Sequence, residues 1–97
     1  MSRFVFHAEA DRELDDAMSW YEERKQGLGG QFRAAVDQAL STIQSNPKAF
    51  ARVVGPYRRL VMRRFPYGII YWPREGEVYI LSVFHSHRDP ERWRERL

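Results

Sequence analysis

The feature that most constrains this chain is a single change of period. From Ala8 to Ile43 apolar residues recur at helical spacing, whereas from Arg58 to Phe84 they fall in short runs rich in branched and aromatic residues. The first predicted helix carries Ala10, Leu14, Ala17, Met18 and Tyr21 on one stripe. Glu9, Asp11 and Glu13 lie near the positive end of its dipole, and Arg24 and Lys25 near the negative end. Gly27 is a stop signal, and Gly27-Leu28-Gly29-Gly30 predicts a tight reversal. The second helix shows Phe32, Ala35, Val36, Ala39, Leu40 and Ile43 before Asn46-Pro47 ends it. So short a link predicts an antiparallel helical hairpin whose apolar faces need a sheet to cover them.

The sheet is sought in the rest of the chain. Arg3 to His7 reads as an opening strand. After an irregular stretch around Gly55-Pro56, strands are expected over Arg58 to Phe65, Gly68 to Trp72 and Val78 to Phe84, with Pro73 to Glu77 turning between the last two. Short links between consecutive strands favour an antiparallel meander. Asp89-Pro90 then reads as an acidic cap followed by a proline at the first helical position, opening a short helix over Glu91 to Arg96. The expectation is an α+β fold in which a helical hairpin packs on an antiparallel sheet.

Length and composition narrow the function. The chain has 97 residues, which predicts one domain over 1–97 burying a little over about 60% of its unfolded surface. It has no cysteine, so neither disulfides nor thiolate metal sites are available. The N-terminus lacks the apolar stretch of a signal peptide, and no run approaches the roughly 20 apolar residues of a membrane span. A soluble cytoplasmic protein is expected, with no membrane partner. The formal charge of +3 conceals a polarised molecule. Up to Phe50 there are six basic and eight acidic residues, and after it ten and five. Fourteen of the sixteen basic residues are arginine, whose planar fork suits phosphate and carboxylate.

The chemistry-bearing residues cluster in the basic half. On a strand, Arg59, Val61 and Arg63 share one face, and Arg58, Leu60, Met62 and Arg64 the other. These arginines either form a solvated face paired with Glu22 or Glu23, or line a partner-binding groove. His85, His87 and Asp89 alternate, but Pro90 stands where a metallohydrolase string would carry a further histidine, so no metal site is assigned. His85 reads as a structural histidine at a strand end, and His87 as the freer candidate. Tyr71 shares a face with Ile69, while Trp93, surrounded by charge, and Trp20, off the main helix stripe, are the aromatics expected at the surface. Arg64 or Arg88 with a histidine and a tyrosine has the chemistry to cleave RNA without a metal or cofactor, the arginine stabilising the crowded phosphate.

Read together, Ala8 to Arg24 (AEADRELDDAMSWYEER), Gly27 to Phe32 (GLGGQF), Ala39 to Pro47 (ALSTIQSNP), Arg58 to Tyr71 (RRLVMRRFPYGIIY) and Val83 to Trp93 (VFHSHRDPERW) resemble the RelE/ParE superfamily of bacterial toxins. The resemblance implies the toxin half of a type II toxin-antitoxin, or plasmid-stabilisation, module. It further implies a helical hairpin on a curved antiparallel sheet, silenced by an antitoxin whose C-terminal segment wraps the toxin. Arg58, Arg59, Arg63, Arg64 and Trp93 are the residues expected to meet that segment, and DNA contact would belong to the antitoxin. RelE-like members cut messenger RNA on the ribosome with a lysine and arginine set and a C-terminal tyrosine or histidine. Here the middle strands have no lysine and no tyrosine follows Tyr79. The WYEER helix, the RRFPYGIIY strand pair and the HRDPERW ending are closer to ParE-like members, which poison DNA gyrase. The alternative is a ribosome-dependent ribonuclease using Arg64, His85, His87 or Arg88.

Overall fold

The computed structural model describes residues 3–97. Strand β1 (Arg3–Phe6) leads into helices α1 (Ala8–Arg24) and α2 (Leu28–Ser45), followed by β2 (Arg52–Val54), β3 (Tyr57–Val61), β4 (Tyr67–Arg74), β5 (Glu77–His85) and a 3-10 turn over Arg92–Arg96. The five strands form one sheet in the order β1-β5-β4-β3-β2. The meander from β2 to β5 is antiparallel as expected, but β1 lies parallel to β5.

Both helices bury the stripes read from the sequence. Leu14, Ala17 and Tyr21 from α1 and Phe32, Val36, Leu40 and Ile43 from α2 meet Leu60, Ile69, Tyr71, Val78, Ile80 and Val83 from the sheet. His7 opens α1, its Nδ1 accepting the Glu9 N–H at 3.0 Å. The reversal falls earlier than predicted: α1 ends at Arg24 and α2 already begins at Leu28, so Leu28-Gly29-Gly30 is its first turn. Gly27 has φ 87° and no side chain with which to cap α2. Glu22 supplies the cap from the other helix, accepting the Gly27 and Gly29 N–H groups at 2.9 and 3.0 Å. Gly29 is required at this crossing, because a Cβ there would lie 2.6 Å from the Met18 carbonyl oxygen.

Two strand predictions need correction, and a third strand carries a bulge. β2 was hidden in the stretch read as irregular, being only three residues long and bulged against β3. β3 stops at Val61 rather than Phe65, because Phe65 turns inward and its ring packs 4.9 Å from Tyr21 and 5.2 Å from Phe32. Arg63 and Arg64 therefore ride on a bend, closed by the Met62 N–H donating to the Tyr67 carbonyl at 2.8 Å. In β5 the pairing slips between Ile70 and Tyr71, leaving Leu81 as an extra residue. Below this bulge Val78 and Ile80 face the helices, and above it Val83 does.

The outer face of the sheet has its own small core. Ile70, Leu81 and Phe84 are covered by Trp93, which is 0% exposed. Trp93 was expected at the surface because charges surround it. In a 3-10 turn residues three apart share a face, so Trp93 and Arg96 both point inward while their neighbours stay in solvent. The indole N–H donates to the Pro90 carbonyl at 2.9 Å. Asp89 does not cap this turn with its side chain: only its backbone carbonyl accepts, from the Arg92 N–H at 3.3 Å.

Candidate functional site

β2 covers the outer edge of β3 only as far as Arg59, whose N–H donates to the Ala51 carbonyl at 3.1 Å. Beyond it the edge is uncovered, and a groove of about 540 Å³ opens between this edge and α2. Ala35, Ala39, Phe50, Leu60 and Met62 supply its apolar lining, with Gln38 and Thr42 on the helix side and Arg63 and Arg64 at the rim. Val61, 53% exposed, stands on its edge strand. The small residues at Ala35 and Ala39 leave room where larger ones would have filled the space.

The four arginines singled out in the sequence separate into different roles. Arg58 donates to the Phe50 carbonyl at 2.7 Å and to the Lys48 carbonyl at 3.3 Å, holding the segment before β2. Arg59 pairs at 3.8 Å with Glu91. Arg63 and Arg64 have no carboxylate partner among the described residues; Arg64 hydrogen-bonds the Gln31 side-chain oxygen and lies 4.9 Å from the Phe65 ring centre. The alternative of pairing with Glu22 or Glu23 is not realised, since Glu22 caps α2 and Glu23 lies 3.8 Å from Arg24. Trp93, the fifth expected contact residue, is inside the outer-face core.

A second depression, of about 260 Å³, lies between α1 and the segment following β5. Glu13, Asp16 and Trp20 line it from the helix, Tyr67, Phe84 and His85 from the sheet, and Arg88, Asp89 and Arg92 from the last segment. His85 turns the chain here: its Nδ1 accepts the His87 and Arg88 N–H groups at 3.1 and 2.9 Å. Burial, then Arg88 and His87, hold its imidazole below the ordinary value of 6.5. Burial pushes the Tyr67 phenol up, with Arg88 at its hydroxyl opposing the shift. Of the ribonuclease candidates, His85 and Arg88 come together here, His87 is exposed beside them, and Arg64 lies on the other bend, beside Gln31. Among the described residues no three His, Asp or Glu side chains gather as a metal ion would need.

Sequence reasoning gave Glu13 only a dipole role, yet it is the most heavily used acid in the structure. Its carboxylate accepts the Ser82 hydroxyl at 2.9 Å, the Val83 N–H at 3.0 Å and both Arg96 terminal nitrogens at 2.7 and 2.8 Å. Arg96 also donates to the Leu81 carbonyl at 3.1 Å. β1 is too short to pair with this upper part of β5, so a helix acid and a C-terminal arginine satisfy the exposed strand edge instead.

A family model described as the ParE toxin of the type II toxin-antitoxin system parDE matches residues 4–90. The chain belongs to this toxin family. It is therefore a toxin of the ParE branch, as the helix and strand strings implied. Among solved structures, the chain is similar to one from the chromosomal ParDE toxin-antitoxin system of P. aeruginosa. That match has 18% identity and a TM-score of 0.61, covering 88% of this chain and 96% of the other. At that identity the likeness concerns the fold, and it agrees with the α+β architecture. No curated protein matches. No helix among the described residues of the toxin is long and apolar enough to cross a membrane.

Proposed function

We propose that this toxin arrests growth in the cytoplasm by binding and poisoning DNA gyrase, and that its single domain is silenced by a cognate antitoxin. The observation that carries the reading is the family match over residues 4–90. The groove between α2 and β3 supports the antitoxin part. It offers an apolar lining, an uncovered strand edge at Val61 and two arginines with no carboxylate partner among the described residues. A disordered acidic and apolar segment gains most from such a surface, since it orders on binding, adds to the edge and pairs carboxylates with arginine forks. DNA binding by the complex belongs to the antitoxin.

Purified gyrase decides the target. Negative supercoiling should fall and cleaved DNA accumulate as active toxin is added, and supercoiling that stays unaffected at large molar excess overturns the proposal. Pulse labelling after induction separates it from the ribonuclease alternative. An early fall in DNA synthesis supports gyrase, whereas an immediate stop in protein synthesis with cut messenger RNA directs attention to the RelE-like candidates Arg64, His85, His87 and Arg88.

A further inference from the structure

We infer that the depression between α1 and the segment after β5 is a second protein-binding surface, separate from the antitoxin groove, through which the toxin grips a mixed-charge surface of its cellular target, a carboxylate of that surface seated at Arg88 and Arg92. The inference rests on the reading that the α2–β3 groove takes the antitoxin. Its first support is the scarcity of exposed large apolar side chains. Among the described residues there are three: Val61 in the groove, Leu97 at the last position, and Trp20, 39% exposed, in this depression. Isolated indoles of this kind, next to a cleft and flanked by arginines, have the composition of interface hot spots, which are enriched in Trp, Tyr and Arg.

The second support is charge. Most arginines of this toxin are paired with carboxylates, including Arg24, Arg59, Arg94 and Arg96. Arg88 and Arg92 are not, among the described residues, and both line the depression. Arg88 lies 5.8 Å from the Trp20 ring centre and beside the Tyr67 hydroxyl, while Arg24 lies 3.9 Å over the same indole. A carboxylate entering between Arg88 and Arg92 would find two guanidinium forks and a phenol, with apolar contact to the indole. Asp16 and Asp89 stand in the same lining. They disfavour a nucleic-acid backbone, whose regular phosphates would meet them, and suit a protein surface that carries both signs.

The third support is location. The groove is lined by α2 and the β3 edge, the depression by α1 and the β5 edge, and no lining residue is shared. The helical hairpin stands between them, so a segment lying in one leaves the other open to a different partner.

The test uses the full-length toxin with Trp20→Ala, Arg92→Glu and the pair combined, measured for antitoxin affinity by calorimetry and for growth arrest at matched expression. The expected result is a loss of growth-arrest potency of roughly 30-fold or more, the scale of a hot-spot residue, with antitoxin affinity unchanged. Retained antitoxin affinity also shows that the variants fold. Unchanged growth arrest overturns the inference. So does a fall in antitoxin affinity of similar size, which would give the depression to the antitoxin. A loss of binding to duplex DNA or to RNA by the free toxin that parallels the loss of arrest overturns it in favour of a nucleic-acid site. If arrest is lost in the variants while the unmodified toxin never affects gyrase, the surface stands and the gyrase reading fails.

Discussion

Arg96 and the pair Arg63 and Arg64 are the same residue type in the same basic half of the chain, yet the fold uses them in opposite ways. Arg96 has a side chain 9% exposed, bidentate to Glu13 and bonded to the Leu81 carbonyl. Arg63 and Arg64 stand at the rim of an open groove with no carboxylate partner among the described residues. The difference is set by what each bend carries inward. Trp93 draws the 3-10 turn onto the outer sheet face and Arg96 follows it, whereas Phe65 draws the β3–β4 bend into the core and leaves its arginines outside. Arginine count alone therefore says little about a partner surface; arginines whose charge the fold leaves unanswered say much more.

The largest effect should come from breaking the inner pair. Glu13→Ala leaves the Ser82 hydroxyl and the Val83 N–H without their acceptor and the Arg96 guanidinium with only the Leu81 carbonyl, and is expected to cost about 3 to 5 kcal/mol of folding stability. Arg96→Ala should cost less, because Glu13 keeps two of its donors. Denaturant unfolding of both single variants and the double variant measures this. A double variant no more stable than the sum of the singles would mean that the pair is not coupled.

The outer pair should behave in reverse. Arg63→Glu with Arg64→Glu is expected to weaken antitoxin binding by about 2 to 5 kcal/mol if the segment buries carboxylates there. Stability should stay within about 0.5 kcal/mol, as for other exposed substitutions. Arg58→Ala is the control: its guanidinium is engaged by the Phe50 and Lys48 carbonyls, so stability should suffer more than affinity. Calorimetric titration with the antitoxin's C-terminal segment decides, and equal affinities for all three proteins would remove the groove from the antitoxin interface.

What the sequence made legible follows the same division. Both helices and the main strands were readable because their periods are long enough to average over exceptions, and Ile69 and Tyr71 share the core face as expected. The Tyr71 hydroxyl finds the Pro47 carbonyl at 2.7 Å, which no pattern announces. The Glu13–Arg96 pair was not legible, since 83 positions separate its members and each sits among other charges. Trp93 was misread for a related reason: local polarity argues for solvent, and only the period of the 3-10 turn and the bare outer face of the sheet argue otherwise. Of the groove, the arginines were visible, but its lining was not. Ala35 and Ala39 obey the helix stripe whether they are fully covered or border a space.

The smallest expected effect separates a lock made of charge from a lock made of a neutral ring. Glu13 and Arg96 hold the C-terminal turn by ionised groups, whereas His85 holds the neighbouring bend only while its ring is neutral, because a protonated Nδ1 cannot accept the His87 and Arg88 N–H groups. Burial, then Arg88 and His87, lower the folded imidazole below 6.5, against a smaller opposing pull from Asp89. Unfolded chains therefore take up more protons between the lowered value and 6.5. The contribution of His85 to stability is complete above 6.5 and is lost as the pH falls through the folded value. In His85→Asn this slope should flatten, and in the unmodified toxin amide exchange at His87 and Arg88 should accelerate over the same window while the Glu13-bound Val83 amide stays protected. A stability difference between the two proteins that does not change with pH would show that the ring holds the bend by packing rather than as an acceptor.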